Sequence, residues 1–523
     1  MPNPRSSEDH GLGLEVVDPS TVLAETRIHQ RSADRLRALQ SRGTGYWLVA
    51  TLALVLLGEQ TALSIVFYTP VLADIATTFE TAQVVWMLTV FTLASAVLTP
   101  LMAKLSDVYG KRLVLVAGAG VSAVGCLICM IAPNFTVLLV GRVLVATTFA
   151  FAPLSVALMR EVFPVRMRAI AIGLATNGFG LVVIGGPLLA GFVAAQYGVR
   201  AIFLMNLILC AVAGLLVLLV VPESPVRAAM RIDYVGSALL GAALFGLLVG
   251  LTQIQTLGLG SPIVLVCLVG GVLAALGWWA QQKRAAHPLI SVKLLTRKPI
   301  LITVLAVLAY CGVSNAMNYL VALQWSADPS TGYGHGLTAL EIGLWSIPAG
   351  ALTVVAGILA GATVRSVGYR IHMIVAGVLW AVPAALLGLN LGASPAFIIV
   401  VYGLFGLANI YSAASAGLIL LAAPADQRGV ASGMNYALQG IGGAVVSQIT
   451  FLCLNASVGS VVGGVPVYEA SGFRNAFLAA AVVAALGIVA AVAIPHGRRL
   501  RRQDRPVNDE TVDGVPVADA GRA

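Results

Sequence analysis

Fourteen stretches of about twenty residues, nearly free of charged side chains, follow one another along the chain and constrain its fold more than any other feature. A helix needs about 20 apolar residues to cross a bilayer. Only 10% of the 523 residues are charged and 59% are hydrophobic, whereas a soluble domain carries about 25% charged residues. A soluble fold would therefore leave most of its surface apolar. The sequence predicts an all-α polytopic membrane protein with fourteen transmembrane helices.

The predicted spans are numbered 1 to 14 in chain order, and short polar loops join them. Their ranges are 46–69, 83–103, 113–132, 136–158, 169–195, 201–221, 233–254, 262–280, 300–325, 338–362, 371–390, 396–421, 432–456 and 474–494.

The distribution of basic residues predicts the orientation. Sixteen Lys and Arg residues fall in the six loops that share a side with both tails, and two fall on the other side. Cytoplasmic loops carry an excess of Lys and Arg. We therefore expect a cell (inner or plasma) membrane protein whose N- and C-termini are cytoplasmic. The pI of 9.4 needs no nucleic-acid partner, because basic loops facing anionic lipid headgroups account for it.

Two halves are indicated by an internal repeat. The stretch "AKLSDVYGKR" at 103–112 recurs as "GATVRSVGYR" at 361–370, and "GVRAIFL" at 198–204 is echoed by "GFRNAFL" at 472–478. We therefore expect a six-helix half at 46–221, two inserted helices with their linkers at 222–299, and a second six-helix half at 300–494. Residues 1–45 and 495–523 lack apolar runs and are expected to be disordered cytoplasmic tails.

Two short motifs and one arginine point to a family. After span 2, the residues Leu105, Asp107, Gly110, Lys111 and Arg112 fit the pattern Gly-x-Leu-x-Asp-Arg-x-Gly-Arg-Arg, with Ala103 in place of its first glycine and Val108 in place of its first arginine. Span 5 carries Gly186, Pro187 and Gly191 of the pattern Gly-Pro-x-x-Gly-Gly, with Ala190 at its fifth position, and span 4 contains Arg142. With these motifs the chain resembles the major facilitator superfamily, specifically its fourteen-span drug:proton antiporter branch. The resemblance implies two six-helix halves with two extra central helices.

The resemblance also implies roles for the motifs. Asp107 would belong to a cytoplasmic gate with Gly110, Lys111 and Arg112, bridging to Arg112 or capping a helix start near residues 427–432 of the other half. The lysines could equally serve only the inside-positive orientation. The span 5 motif would seal the protein against proton leak, or could be simple helix packing.

Glu59 is the only carboxylate well within a span. It lies thirteen residues beyond Tyr46, which is about 20 Å along a helix. An uncompensated acid at that depth is costly and suggests function, so Glu59 is the candidate proton carrier. The alternative is a polar residue satisfied by Gln60 or a neighbouring span. Arg142 would influence proton release by pairing with a carboxylate or carbonyl, or would extend to the membrane interface.

Polar side chains within the remaining spans are expected to line a substrate cavity, because facing lipid would leave their amides unpaired. Hydrogen bonding between helices is the alternative for each of them. The candidates are Asn177, Asn315, Asn318, Asn409, Asn435 and Gln439.

No nucleotide-binding, zinc-protease or serine-hydrolase motif occurs, so we expect no enzyme activity, no cofactor and no metal. The leading prediction is a proton-coupled exporter of small amphipathic or cationic compounds that works as a monomer. Two alternatives stay open: a dedicated transporter of one metabolite, lipid or peptide, and a membrane receptor that does not transport.

Overall fold

A computed structural model describes residues 42–225, 232–285, 288, 290–424, 428–462 and 465–497. The two predicted tails lie almost wholly outside the described residues. Within the described residues, the regular secondary structure is helical apart from one short hairpin of two strands. Many of the helices are long and apolar, as expected of a multi-pass membrane protein.

The first half contains spans 1 to 6. Span 1 has two parts and span 4 has two helices joined by a 3-10 segment; a short helix precedes span 2. The helices are Thr44–Gly58 and Gln60–Val66 (span 1), Leu72–Thr78, Trp86–Tyr109 (span 2), Lys111–Ile131 (span 3), Phe135–Val145, Ala146–Ala150 and Phe151–Val162 (span 4), Val165–Tyr197 (span 5) and Val199–Val220 (span 6).

The rest of the chain holds the inserted spans 7 and 8 and the second half. The elements are Tyr234–Leu257 (span 7), Pro262–Arg284 (span 8), Val292–Leu295, Lys298–Ser326 (span 9), the 3-10 turn Pro329–Thr331, Ala339–Trp345 and Ile347–Val367 (span 10), Tyr369–Leu389 (span 11), Pro395–Ala408 and Tyr411–Ala422 (span 12), Arg428–Asn455 (span 13), strands β1 (Val458–Val462) and β2 (Val465–Tyr468), and Ala470–Ala493 (span 14).

Among the described residues, thirteen helices are long and apolar enough to cross a membrane. The predicted span 5 lies within the continuous helix Val165–Tyr197 of 33 residues, several of whose side chains fall outside the described residues. The total of fourteen crossings therefore stays a prediction.

Span 2 continues past its predicted end. Residues 104–109 form its last turns, and Lys111 already begins span 3, so Gly110 alone separates the two helices. The prediction that residues 104–112 between spans 2 and 3 form a loop was therefore wrong. The apolar run ends before the helix does, because charged side chains at a helix end can reach the headgroup region while the backbone remains hydrogen-bonded.

The repeat is visible in the contacts at the ends of the spans. Arg112, at the start of span 3, donates a hydrogen bond from its guanidinium to the carbonyl of Leu218 near the end of span 6. Its counterpart Arg370, at the start of span 11, donates in the same way to the carbonyl of Val492 near the end of span 14. We call the end of the bundle that carries these contacts the basic end, and the other end the opposite end.

The inserted spans 7 and 8 form an antiparallel helix pair tied together at the basic end. Asp233 caps span 7 through the amide of Gly236 (2.8 Å) and accepts hydrogen bonds from the side-chain amides of Gln281 (2.8 Å) and Gln282 (2.6 Å) in span 8. Lys104 of span 2 donates to the carbonyl of Pro288, just after span 8 (2.6 Å). These bonds fasten the pair to the first half.

The strand pair β1–β2 is antiparallel and lies at the opposite end, between spans 13 and 14. The hydroxyl of Tyr333, in the segment between spans 9 and 10, donates a hydrogen bond to the carbonyl of Tyr468 in β2. Both tyrosine rings pack against Phe473. The hairpin therefore joins two connections of the second half.

Candidate transport site

Glu59 lies at the junction of the two helical parts of span 1 and is 8% exposed. A Cβ built on its neighbour Gly58 would lie 3.5 Å from the Cα of Ala152, and the hydroxyl of Thr61 donates to the carbonyl of Thr148 (2.6 Å). Span 1 therefore packs closely on span 4 at this depth. Within the described part of the chain, the Glu59 carboxylate has no hydrogen-bond or ion-pair partner.

Arg142 is completely buried in span 4. Its guanidinium donates to the carbonyls of Ser64 in span 1 (2.9 Å) and Met87 in span 2 (3.2 Å). The rings of Tyr68 and Phe91 lie 4.4 and 4.7 Å from the central guanidinium carbon. Carbonyls and aromatic faces thus stabilise a charge that an arginine cannot lose.

Among the described residues, no hydrogen bond or ion pair joins the two predicted coupling residues, Glu59 of span 1 and Arg142 of span 4. Arg142 bonds to the backbone of Ser64, five residues beyond Glu59, which is about 7.5 Å along a helix. In the described residues no ion pair joins Arg142 to a carboxylate. Arg142 also keeps one buried terminal nitrogen, Nη1, without a partner. The arginine therefore keeps an unused donor, and its charge is compensated by carbonyls and rings rather than by an ion pair within the described part of the chain.

The span 5 motif lies where the two halves meet at the opposite end. A Cβ on Gly191 would lie 2.6 Å from the Cα of Leu340 in span 10, and one on Gly343 would lie 2.8 Å from the carbonyl oxygen of Pro187. Gly186 faces its own half instead, where a Cβ would lie 2.8 Å from a methyl group of Val66. Small residues therefore let spans 5 and 10 pack backbone to backbone.

Aromatic side chains flank this contact. Trp345, at the end of the first helix of span 10, packs edge-on against Trp325 of span 9 (5.4 Å between ring centroids) and against His335 (5.5 Å). Burial lowers the pKa of His335 below its ordinary value, so this ring is neutral at pH 7. At the opposite end, packed backbones and uncharged rings thus hold spans 5, 9 and 10 together.

At the basic end, Lys111 lies between two carboxylates. Its ammonium group is 3.2 Å from Asp107 and 2.9 Å from Glu161 at the end of span 4, and Lys111 is only 6% exposed. Asp107 therefore pairs with Lys111 rather than with Arg112, whose side chain points toward span 6. The other predicted partner of Asp107 was the helix start near residues 427–432. Residues 425–427 and the neighbouring side chains lie outside the described residues.

Glu223, just after span 6, completes this network. Its carboxylate accepts hydrogen bonds from the amides of Arg112 and Leu113 (both 2.9 Å), which are unpaired donors at the start of span 3. The hydroxyl of the next residue, Ser224, donates a hydrogen bond to the carboxylate of Glu161. Spans 3, 4 and 6 are thus linked at the basic end through two acids.

The predicted cavity residues divide between two regions. Asn315 of span 9 lies near the meeting point of spans 2 and 13: a Cβ on Gly443 would lie 2.9 Å from its amide nitrogen and 3.5 Å from the methyl group of Thr92. Asn409 of span 12 instead donates to the hydroxyl of Thr353 in span 10 (3.3 Å). Asn318 donates to the carbonyl of Ser314, one turn earlier (2.8 Å).

The other three candidates differ in burial. Asn435 of span 13 is 4% exposed, and its side-chain oxygen has no partner. Gln439, one turn further along span 13, is half-buried. Asn177 belongs to the span 5 helix, but its side chain lies outside the described residues. Asn315, Asn435 and Gln439 therefore remain as candidates near the contact between the halves.

A comparison with family models decides the affiliation: residues 52–447 match the model described as Major Facilitator Superfamily. The chain belongs to this superfamily. The affiliation that the motifs indicated is therefore confirmed, together with a multi-pass membrane protein of largely helical structure.

Relatives within the major facilitator superfamily include proteins named for antibiotic resistance. The chain is 26% identical to the tetracenomycin C resistance and export protein of Streptomyces glaucescens over 73% of this chain and 70% of the relative. It is 24% identical to the lincomycin resistance protein of Streptomyces lincolnensis over 93% of this chain and 98% of the relative. The xylose transporter XylE from E. coli, in a partially occluded inward-open conformation, shares the fold with a TM-score of 0.56 at 15% identity, covering 87% of this chain and 99% of that one.

Sequence reasoning about this major facilitator protein missed three acids that the structure uses: Glu161, Glu223 and Asp233. Each lies at the end of a span, where an acid is unremarkable by position alone. The stretches "PES" after span 6 and "DYVGS" at the start of span 7 place Glu223 and Asp233 at helix ends, but they do not reveal from which groups these acids accept hydrogen bonds.

Proposed function

We propose that this protein is a proton-coupled secondary transporter that exports small amphipathic or cationic compounds by alternating access. Glu59 carries the proposal, as a carboxylate buried within a membrane span and without a partner among the described residues. An isolated acid at that depth is costly to keep charged. Glu59 therefore favours taking up a proton unless a positively charged cargo compensates its charge.

The cycle follows from this competition. A neutral Glu59 releases a cationic cargo, and a charged Glu59 attracts one, so binding of cargo and proton at this site exclude each other. Protonation from the outer side and release of the proton inside would then drive export. The closed contact between spans 5 and 10 supports a state in which the opposite end is sealed while the cavity can exchange with the basic end.

The available driving force is sufficient for efflux. One charge moving through 100 mV supplies about 2.3 kcal/mol, which at tenfold per about 1.4 kcal/mol corresponds to a gradient of roughly 40-fold. The names of the two Streptomyces relatives, which refer to antibiotic resistance and, in one case, export, support export of toxic organic compounds. We also infer a cell-membrane location, a cytoplasmic basic end and activity as a monomer.

The decisive experiment uses Glu59→Gln, which keeps the shape of the side chain and fixes it in the neutral state. Vesicles containing the variant, with an imposed pH gradient, should lose at least tenfold in uphill transport of a cationic fluorescent dye. Exchange of dye across vesicles without a gradient should survive. Glu80→Gln is the matched control, since Glu80 is exposed between spans 1 and 2 and its removal should leave transport unchanged.

Protein levels must be equal in this comparison, because removing a buried acid can stabilise the fold. Full gradient-driven transport by Glu59→Gln would refute Glu59 as the carrier. Absence of any dye transport by the wild-type protein, with transport of a single metabolite instead, would favour the dedicated transporter.

A further inference from the structure

A cavity of about 690 Å³ lies outside the candidate transport site, between spans 2 and 4 of the first half and the inserted span 7. We call it the lateral groove. Span 2 contributes side chains from Trp86 to Leu98, span 4 from Thr136 to Val143, and span 7 from Ser237 to Gln253. Gly241 forms part of its floor, where a Cβ would be in ordinary contact with Val97 at 3.7 Å.

The groove is long and apolar. Ser237 and Gln253 are sixteen residues apart on one helix, which corresponds to about 24 Å, close to the hydrocarbon thickness of a bilayer, about 30 Å. None of the side chains that line it is charged. Of the polar ones, Gln83, Thr136, Thr252 and Gln253 lie at or near helix ends at the opposite end, and Ser237 lies toward the basic end.

The groove opens toward the bilayer. Val140 of span 4 and Phe245 of span 7 line it and are each 54% exposed on the surface of the bundle. Water is a poor occupant of such a space, because it needs two to four polar partners that the apolar walls do not offer. Hydrocarbon from the surrounding membrane satisfies the walls at no such cost.

The inner wall of the groove is continuous with the interior. Ala94 and Leu98 of span 2 line the groove and also pack in a buried cluster with Ile65 of span 1 and Tyr436 of span 13. Tyr436 directly follows Asn435, one of the candidate cavity residues. Span 2 therefore lines the groove and also packs against span 13 of the other half.

From this shape and polarity we propose that the lateral groove binds the hydrocarbon chain of a membrane phospholipid, with the lipid headgroup beside Gln83 and Gln253. The elongated apolar walls match an extended chain, and the uncharged polar residues at one end can donate hydrogen bonds to the phosphate and ester oxygens of a phospholipid headgroup. The lipid fills the seam by which span 7 docks onto the first half. The site does not depend on proton coupling at Glu59.

A matched pair of glycine variants tests the site. Gly241→Leu places a side chain in the groove, whereas Gly270→Leu adds the same side chain to span 8 at an exposed position where a Cβ meets no atom within 4 Å. The full-length protein is reconstituted in vesicles containing phosphatidylcholine with a photoreactive group on its acyl chain. After illumination, the labelled residues are mapped by mass spectrometry.

We expect labelling in the wild type to concentrate on groove residues such as Val140 and Phe245, to fall at least fivefold in Gly241→Leu, and to remain in Gly270→Leu. Even labelling over all exposed apolar residues, or labelling that Gly241→Leu does not reduce, would overturn the proposal. So would loss of groove labelling on addition of a transported dye, which would assign the groove to cargo, or its replacement by cross-links between two copies.

A second measurement covers the case in which Gly241→Leu does not fold. Trp86 lines the groove, so phosphatidylcholine brominated on its acyl chain should quench its fluorescence. Trp86→Phe should then remove a quenchable fraction of the emission, and Trp380→Phe, at a tryptophan of span 11 that does not line the groove, should not. Equal quenching in both variants would contradict a lipid chain in the groove.

Discussion

Gly110 separates spans 2 and 3 with a backbone φ of 113°, a conformation that side chains with a Cβ rarely adopt. A Cβ at this position would also lie 2.8 Å from the carboxyl carbon of Glu223. The glycine therefore allows the turn and at the same time admits the acid that caps span 3. One atom more at this residue would disturb both.

Gly110→Ala should lower the stability of the protein more than Gly198→Ala does. Gly198 also has a positive φ, 78°, but a Cβ there meets no atom within 4 Å, so its substitution adds only backbone strain, about 1–3 kcal/mol. At Gly110 the flexible carboxylate of Glu223 would also have to move away, and the loss of its hydrogen bonds to the amides of Arg112 and Leu113 should add about 1 kcal/mol. Thermal unfolding of both purified variants in detergent measures the difference.

Equal melting temperatures for the two variants would show that Glu223 does not cap span 3 in solution. Gly110→Ala combined with Glu223→Ala offers a further control, since removing the acid should relieve the clash but leave the amides of Arg112 and Leu113 uncapped.

Single residues were predictable from the sequence where the membrane makes them costly. Glu59 and Arg142 stand out because a charge within an apolar run requires a reason. The partners of Lys111 were not predictable, since Glu161 lies fifty residues away and reaches it only through the packing of spans 3 and 4. Nor did the sequence show that Arg142 bonds to carbonyls instead of an acid.

At the scale of elements, spans 5 and 10 cross with their backbones in contact. The approach depends on Gly191 and Gly343, whose missing side chains admit the partner's main chain. Backbone atoms cannot rotate aside as a side chain can, so the contact tolerates no added bulk. It therefore holds the two halves together at the opposite end more strictly than the aromatic rings around it.

Gly191→Ala should open this end of the bundle. The added Cβ would lie 2.6 Å from the Cα of Leu340, and the two helices would have to separate. Spin labels placed in pairs on spans 5 and 10 at the opposite end should report a longer distance, and the variant should lose coupled transport. Gly185→Ala is the control, because a Cβ at Gly185 meets no atom within 4 Å.

An unchanged distance in Gly191→Ala, with full transport, would mean that this contact is not the seal. A substitution of the other motif glycine, Gly186→Leu, would say less about the contact between the halves, because the added side chain meets Val66 within the same half.

The positions of the spans were largely predictable, because most boundaries lie within a few residues of the point where an apolar run meets charged residues or a turn rich in glycine, proline and other polar residues. Span 6, predicted at 201–221, is a helix from Val199 to Val220. The interruptions of spans 1, 4, 10 and 12 were not predictable, since most of them carry no proline at the break and depend on contacts with neighbouring helices. The β1–β2 hairpin was also missed, within a loop of small and branched residues.

For the whole molecule, the distribution of basic residues predicts which end faces the cytoplasm. Lys293, between spans 8 and 9, is exposed at the basic end, and Ser330, between spans 9 and 10, is exposed at the opposite end. The positive-inside rule places the first in the cytoplasm and the second outside.

In intact cells, a membrane-impermeant maleimide should label Ser330→Cys and leave Lys293→Cys unlabelled until the cells are opened. The protein without an introduced cysteine is the control, because the six native cysteines are buried or half-buried. Labelling of Lys293→Cys in intact cells would reverse the assigned orientation.

The inserted helix pair has a consequence for how such a protein could arise. Spans 7 and 8 run antiparallel and return the chain to the side from which it left, where Asp233 fastens their ends. A single added helix would turn the second half upside down and carry Arg370 to the wrong face of the membrane. Parity therefore restricts evolution here: helices can be gained or lost between the halves only in even numbers.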